Sequence, residues 1–169
     1  MQVIRQRAGS VSYSFIPMAV TLFMALFSAA PIRLTGVGAV FPQLVYVSLY
    51  YWGIFRPGNL PYPFLFLLGL MEDTFSGFPL GVSAFLNIGF SYLLMIERPL
   101  FGKMLFASVW IGFILLTAIA GVAQWLLLSF SAGMFLPVFL ALLKWSATCL
   151  AYPLLHKAFA RMFRASEAG

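Results

Sequence analysis

Between Lys103 and Lys144 the chain runs for 40 residues without a charged side chain. A bilayer crossing takes about 20 predominantly apolar residues, so a run of this length is two crossings, or one crossing and a turn. Shorter uncharged runs precede it: 25 residues between Arg7 and Arg33, 22 between Arg33 and Arg56, 15 between Arg56 and Glu72, and 23 between Asp73 and Glu97. With 63% of its 169 residues apolar or aromatic and 8% charged, the chain lacks the polar shell that a water-soluble domain needs. A net charge of +6 on such a body does not point to nucleic acid.

The runs, and the Gly, Pro and Ser breaks between them, predict a single transmembrane domain over residues 1–169. It is an all-α integral membrane protein, a polytopic bundle of about six helices with short loops, at about 13–30, 40–55, 62–75, 79–96, 103–130 and 134–156. A membrane barrel would instead show short alternating segments. Six crossings put both ends on the side that collects Arg5, Arg7, Arg56, Arg98, Lys103, Lys157, Arg161 and Arg164, and leave Arg33 alone on the other. That imbalance places both termini in the cytoplasm. The first run closes on Ser28-Ala29-Ala30, as a secretory signal does, but its length and the Pro31 that follows favour a retained helix.

Charges inside the spans are the informative side chains, because each costs roughly 2.5 to 3.5 kcal/mol at mid-helix even on a lenient insertion scale. Glu72 and Asp73 interrupt the third predicted helix, and Lys144 lies about halfway along the sixth. Adjacent residues point about 100° apart, so the two carboxylates are not expected to face the same neighbour. By helical rise, Asp73 lies about 6 Å and Lys144 about 16 Å below the outer face. A lysine stem leans toward its helix's amino end and can snorkel, which makes a buried pair of Lys144 with Asp73 or Glu72 feasible. The plainer alternative, given the greater weight, has Lys144 meeting backbone carbonyls or a water-filled cleft and the carboxylates meeting solvent.

The most patterned stretch joins the third and fourth helices: Gly69-Leu70-Met71-Glu72-Asp73-Thr74-Phe75-Ser76-Gly77-Phe78-Pro79-Leu80-Gly81. Glycine serves tight turns and close helix approach. Pro79 suits the first turn of the fourth helix, where its missing N–H would have no intrahelical partner. Beyond it Ser83, Asn87 and Ser91 recur every fourth residue as a polar stripe, a packing feature first and a substrate path second.

Cys149 has no second cysteine to pair with, and His156 reads as an interfacial group among basic residues. No metal-ligand spacing, phosphate loop or nucleophile elbow appears, so no catalytic residue, metal or cofactor is expected. Tyr13, Tyr46, Tyr50, Tyr51, Trp52, Tyr62, Trp110 and Trp125 fall mostly near predicted helix ends, as interfacial belts do. Ala118, Gly121 and Ala123 are small enough for close helix packing, within the bundle or against a partner, with Gln124 as a polar lock on that seam. Lys157, Arg161 and Arg164 share one face of a helical extension suited to anionic lipid headgroups.

Tyr51-Trp52 at the end of the second helix, the Pro-rich connection to the third, and Gly69-Leu70-x-x-Asp73-x-x-x-Gly77-x-Pro79-Leu80-Gly81 resemble the MreD family of bacterial rod shape-determining membrane proteins. The length, the six-span hydropathy and the lack of large loops agree over essentially the whole chain. Lys144 is not matched to the family pattern. The resemblance implies a non-enzymatic, multi-pass inner-membrane subunit of the cell-elongation machinery, with Gly69, Asp73, Gly77, Pro79 and Gly81 at motif positions. Its implied partners are MreC, a single-span protein with a periplasmic domain, the glycosyltransferase RodA with its class B transpeptidase, and the MreB filament.

The family also resembles, in architecture, the substrate-capturing subunits of energy-coupling-factor vitamin transporters. The alternative function is therefore a vitamin-type substrate-binding subunit, with the polar stripe, Asp73 and Glu72 lining a pocket open to the outside.

Overall fold

The computed structural model describes residues 16–28, 42–55, 58, 60–101 and 106–167. Among them are six helices and no strand: α1 (Ile16–Ser28), α2 (Leu44–Phe55), α3 (Tyr62–Ser76), α4 (Val82–Phe101), α5 (Phe106–Ala132) and α6 (Val138–Glu167). Arg5, Arg7, Tyr13, Pro31, Arg33, Arg56 and Lys103 lie outside the described residues. Several bounds differ from expectation: α2 begins at Leu44 rather than near residue 40, and α4 ends at Phe101 rather than Ile96. α4 begins at Val82 rather than Pro79, and α6 begins four residues later than expected and continues through Lys157, Arg161 and Arg164.

α2 is the hub. Every residue from Leu44 to Phe55 is buried except Gly53 and Phe55, although the helix has only 12 residues. At 1.5 Å per residue it is about 18 Å long. An apolar helix with no polar face must be wrapped on all sides, and α1, α4, α5 and α6 supply the wrapping. Thr21 of α1 hydrogen-bonds Ser48 at 2.8 Å. Tyr46 stacks on Phe90 of α4 with ring centroids 4.8 Å apart. The Tyr50 hydroxyl donates to the Val109 carbonyl of α5 at 2.7 Å, and its ring meets Phe113 and Tyr152 edge-on. The aromatic belt expected at the end of α2 is thus wrong for Tyr46, Tyr50, Tyr51 and Trp52, which are core residues. Their large rings fill the space between helices, and the Tyr50 hydroxyl finds its partner inside the bundle.

Polar groups in this fold point inward. Thr21, Ser48, Asp73, Asn87, Thr117, Gln124, Ser129 and Thr148 are buried, whereas large apolar side chains cover the outside. On α5 the buried face carries Val109, Phe113, Leu116, Ala120 and Gln124, and the exposed face carries Ile111, Leu115, Ile119, Val122 and Leu126. A helix apolar on its outer face is at home in hydrocarbon. Ala107–Ala132 and Val138–His156 are long and apolar enough to cross a membrane; Ile16–Ser28, Leu44–Phe55 and Val82–Glu97 are shorter apolar helices.

Helix irregularities are met by neighbouring helices. Pro153 sits inside α6 and has no N–H to offer the carbonyl of Cys149 one turn earlier. The indole N–H of Trp110 on α5 donates to that carbonyl at 3.3 Å. The connection from α5 to α6 is pinned in the same way: Leu136 donates its N–H to the Ser129 hydroxyl and accepts the Trp125 indole N–H on its carbonyl.

Candidate functional site: the α3–α4 clasp and the adjoining cavity

α3 starts on Pro61, with Pro63 in its first turn, and ends where Gly77 takes a left-handed conformation with φ of 68°. The Asp73 carbonyl accepts the N–H groups of both Gly77 and Phe78, which closes the last turn. Pro79 then opens a tight turn: its carbonyl accepts the Val82 N–H at 3.4 Å, and Gly81 occupies the third position with φ of 102°, which a side chain would strain. Pro79 therefore precedes α4 instead of lying in its first turn. Its fixed φ serves the turn, and the helix waits for Gly81 to redirect the backbone.

Asp73 is fully buried. Its carboxylate accepts the Gly81 N–H at 2.7 Å and the Ser83 N–H at 2.9 Å. These are donors at the start of α4 that have no intrahelical acceptor. No Ser, Thr, Asp or Asn stands immediately before α4, so the cap comes from α3, and the charge sits at the positive end of the α4 dipole. One residue thus holds the end of one helix with its carbonyl and the start of the next with its side chain.

Two further contacts close the pair. A Cβ on Gly69 would overlap the backbone of Ala84 and come within 2.7 Å of the Ser83 carbonyl carbon, so the helices touch backbone to backbone there. Glu72 accepts the Asn87 side-chain amide at 2.7 Å. Both carboxylates therefore serve α4, contrary to the expectation that they diverge. The close approach at Gly69 lets the short arm of Asp73 reach the first turn of α4, while the longer arm of Glu72 reaches Asn87 farther along. Ser83 contributes its backbone N–H to the clasp. Ser91 is half-buried, and its side chain makes no hydrogen bond among the described residues.

Lys144 is not paired with either carboxylate. Its Nζ lies 5.8 Å from the centroid of the Phe78 ring, and no carboxylate oxygen of the described residues is within 4 Å. Glu72 is within electrostatic reach but is bonded to Asn87. Because α6 starts at Val138, Lys144 is six residues into the helix, about 9 Å from its start.

Lys144 instead lines a cavity of about 320 Å³ together with Gln43, Phe78, Gln124, Trp145 and Thr148. The Gln43 side chain donates to the Gln124 carbonyl oxygen at 2.6 Å, and its backbone N–H donates to the Thr148 hydroxyl at 2.9 Å. Gln124 is thus a lock inside the bundle, and Gly121 beside it faces the cavity. Ala118 and Ala123 are half-buried on the same helix. Glu72, Asp73, Ser83, Asn87 and Ser91 do not line this cavity. Gln43 and Thr148 escaped sequence reasoning; their signal was a polar side chain in the middle of an uncharged run.

Residues 9–162 match the family described as rod shape-determining protein MreD. The chain belongs to the MreD family. No curated protein and no solved structure matches it. Membership, together with the two long apolar helices, makes this a membrane protein and ties it to rod shape determination. The MreD family is one of shape-determining proteins, and the patterned stretch that resembles it forms the α3–α4 clasp in this structure.

Proposed function

We propose that this chain is a non-enzymatic, multi-pass subunit of the bacterial inner membrane that grips the transmembrane segment of an MreC-like protein. It thereby supports lateral peptidoglycan synthesis by RodA and its class B transpeptidase. The observation that carries the reading is the family match over residues 9–162. The inside-out distribution of side chains supports it, because a bundle whose outer faces are apolar offers partners its intramembrane surface.

In this reading the chain crosses six times with both termini cytoplasmic, following the basic residues. The fold is of the kind used by the vitamin-capturing transporter subunits. The short α2 is accommodated because its neighbours, and not lipid, surround it except at Phe55. The clasp sets the depth and register of α3 and α4 toward the partner. Affinity purification from native membranes tests this: an MreC-like protein should be recovered with the wild type and reduced with Asp73→Ala. Recovery of an energising ATPase module with a bound vitamin, and of no MreC-like protein, would overturn it.

A further inference from the structure

The cavity beside Lys144 lies at one end of the bundle. It is lined by Gln43 and Tyr46 around the start of α2, Phe78 in the α3–α4 turn, α5 between Thr117 and Leu128, and the first three turns of α6 as far as Thr148. Gln43, Phe78, Leu136 and Pro137 belong to the connections on the side opposite the basic carboxyl-terminal extension, and Gln124, Lys144 and Thr148 carry the cavity inward along α5 and α6. The cavity therefore reaches inward from that side, with Lys144 about 9 Å along α6 from its start, on the membrane placement proposed above and independently of the partner.

Its chemistry is that of a cation whose ammonium group touches no anion directly among the described residues. The Lys144 ammonium has three N–H donors, and none meets an acceptor among the described residues; its recorded contact is the Phe78 ring face. Gln124 uses its carbonyl oxygen on Gln43, which leaves its own amide N–H groups as donors beside the lysine. The one carboxylate within electrostatic reach, Glu72, is held by Asn87 and does not line the cavity. Around this donor-rich floor the lining is apolar, with Trp125, Leu128, Leu136 and Leu140, and Phe135 and Phe139 stand exposed next to it. A volume of about 320 Å³ suits a headgroup and not a whole lipid.

We propose that this cavity binds the phosphodiester headgroup of an anionic phospholipid, with Lys144 as its counter-ion and Gln124 as a second donor, while the acyl chains lie along the apolar outer face of α5 and α6. A charge-assisted hydrogen bond of an ammonium to a phosphate oxygen is of the stronger kind, and an occupant of this sort would satisfy the lysine where it stands.

The full-length protein, purified from mixed phosphatidylglycerol and phosphatidylcholine, is examined by native mass spectrometry for retained lipid. The wild type should keep phosphatidylglycerol in preference to phosphatidylcholine. Lys144→Met should lower that retention on the order of tenfold, as loss of one charged hydrogen bond implies, and Lys144→Arg should restore most of it. Gly121→Leu is the second variant. A Cβ there meets nothing within 4 Å, so the larger side chain fills the cavity and leaves Lys144 in place; it too should expel the lipid. Equal retention of the two lipids would overturn the proposal, and unchanged phosphatidylglycerol preference in both variants would overturn it and point to the basic extension instead. Displacement of the lipid by inorganic phosphate alone would overturn a lipid as the occupant. None of these outcomes bears on recovery of an MreC-like partner.

Discussion

Asp73 shows how a charge can be stable in an apolar chain without a counter-charge. Two backbone N–H groups at a helix start solvate its carboxylate, and the helix dipole adds to them. Asp73→Ala leaves those donors buried and unsatisfied, and should cost about 3 kcal/mol of stability in detergent unfolding. Asp73→Asn keeps one acceptor oxygen and should cost less; equal losses would mean that the hydrogen bonds are not what the residue supplies. Trp110→Phe should cost about 1 to 3 kcal/mol, because it orphans the Cys149 carbonyl that Pro153 has already freed.

That Asp73 matters was legible in the sequence, since a charge within an apolar run stands out. Its acceptor role was not, because its partners lie eight and ten residues away, across a turn whose direction depends on Gly77 and Gly81. Lys144 was legible as an anomaly too, but its surroundings depended on where α6 begins. The stretch from Gly133 to Pro137 is held by Ser129 and Trp125 of α5, which no local pattern at residues 134–137 reveals.

Several helix ends in this protein are finished by other helices. Asp73 of α3 caps α4. Ser28 of α1 accepts the Leu44 N–H at the start of α2, and Thr148 of α6 accepts the Gln43 N–H beside it. Cap signals are usually sought immediately before a helix, which is why the starts of α4 and α6 were placed too early while the apolar runs themselves located the helices. The aromatic cluster in α2 was misread for a related reason: a short all-apolar helix looks the same at a membrane boundary and at a bundle centre until its neighbours are known. The α3–α4 pair is set by contact at Gly69. Gly69→Ala forces the two backbones apart and should cost about 1 to 3 kcal/mol. If α3 moves, Asp73 and Glu72 lose their α4 partners together, so Gly69→Ala combined with Asp73→Ala should cost less than the sum of the two single changes. Strict additivity in a double-mutant cycle would show that the contact and the cap are independent.

At the scale of the molecule, the proposed grip on a membrane partner uses the faces that the bundle turns outward. Among the described residues those faces are apolar on α1, α3, α4, α5 and α6 as far as Leu154, and many polar side chains are spent internally on caps and locks. The claim that the chain works by gripping a membrane partner is tested most directly by placing a photo-reactive amino acid at exposed positions such as Phe85, Ile111, Leu115, Ile119, Phe139 and Leu150, and at buried Phe113 as a control, in cells that keep their rod shape. The account predicts that an MreC-like protein is captured from a contiguous subset of the exposed positions and not from Phe113. Capture of lipid alone from every exposed position, in cells whose shape still depends on the protein, would contradict it.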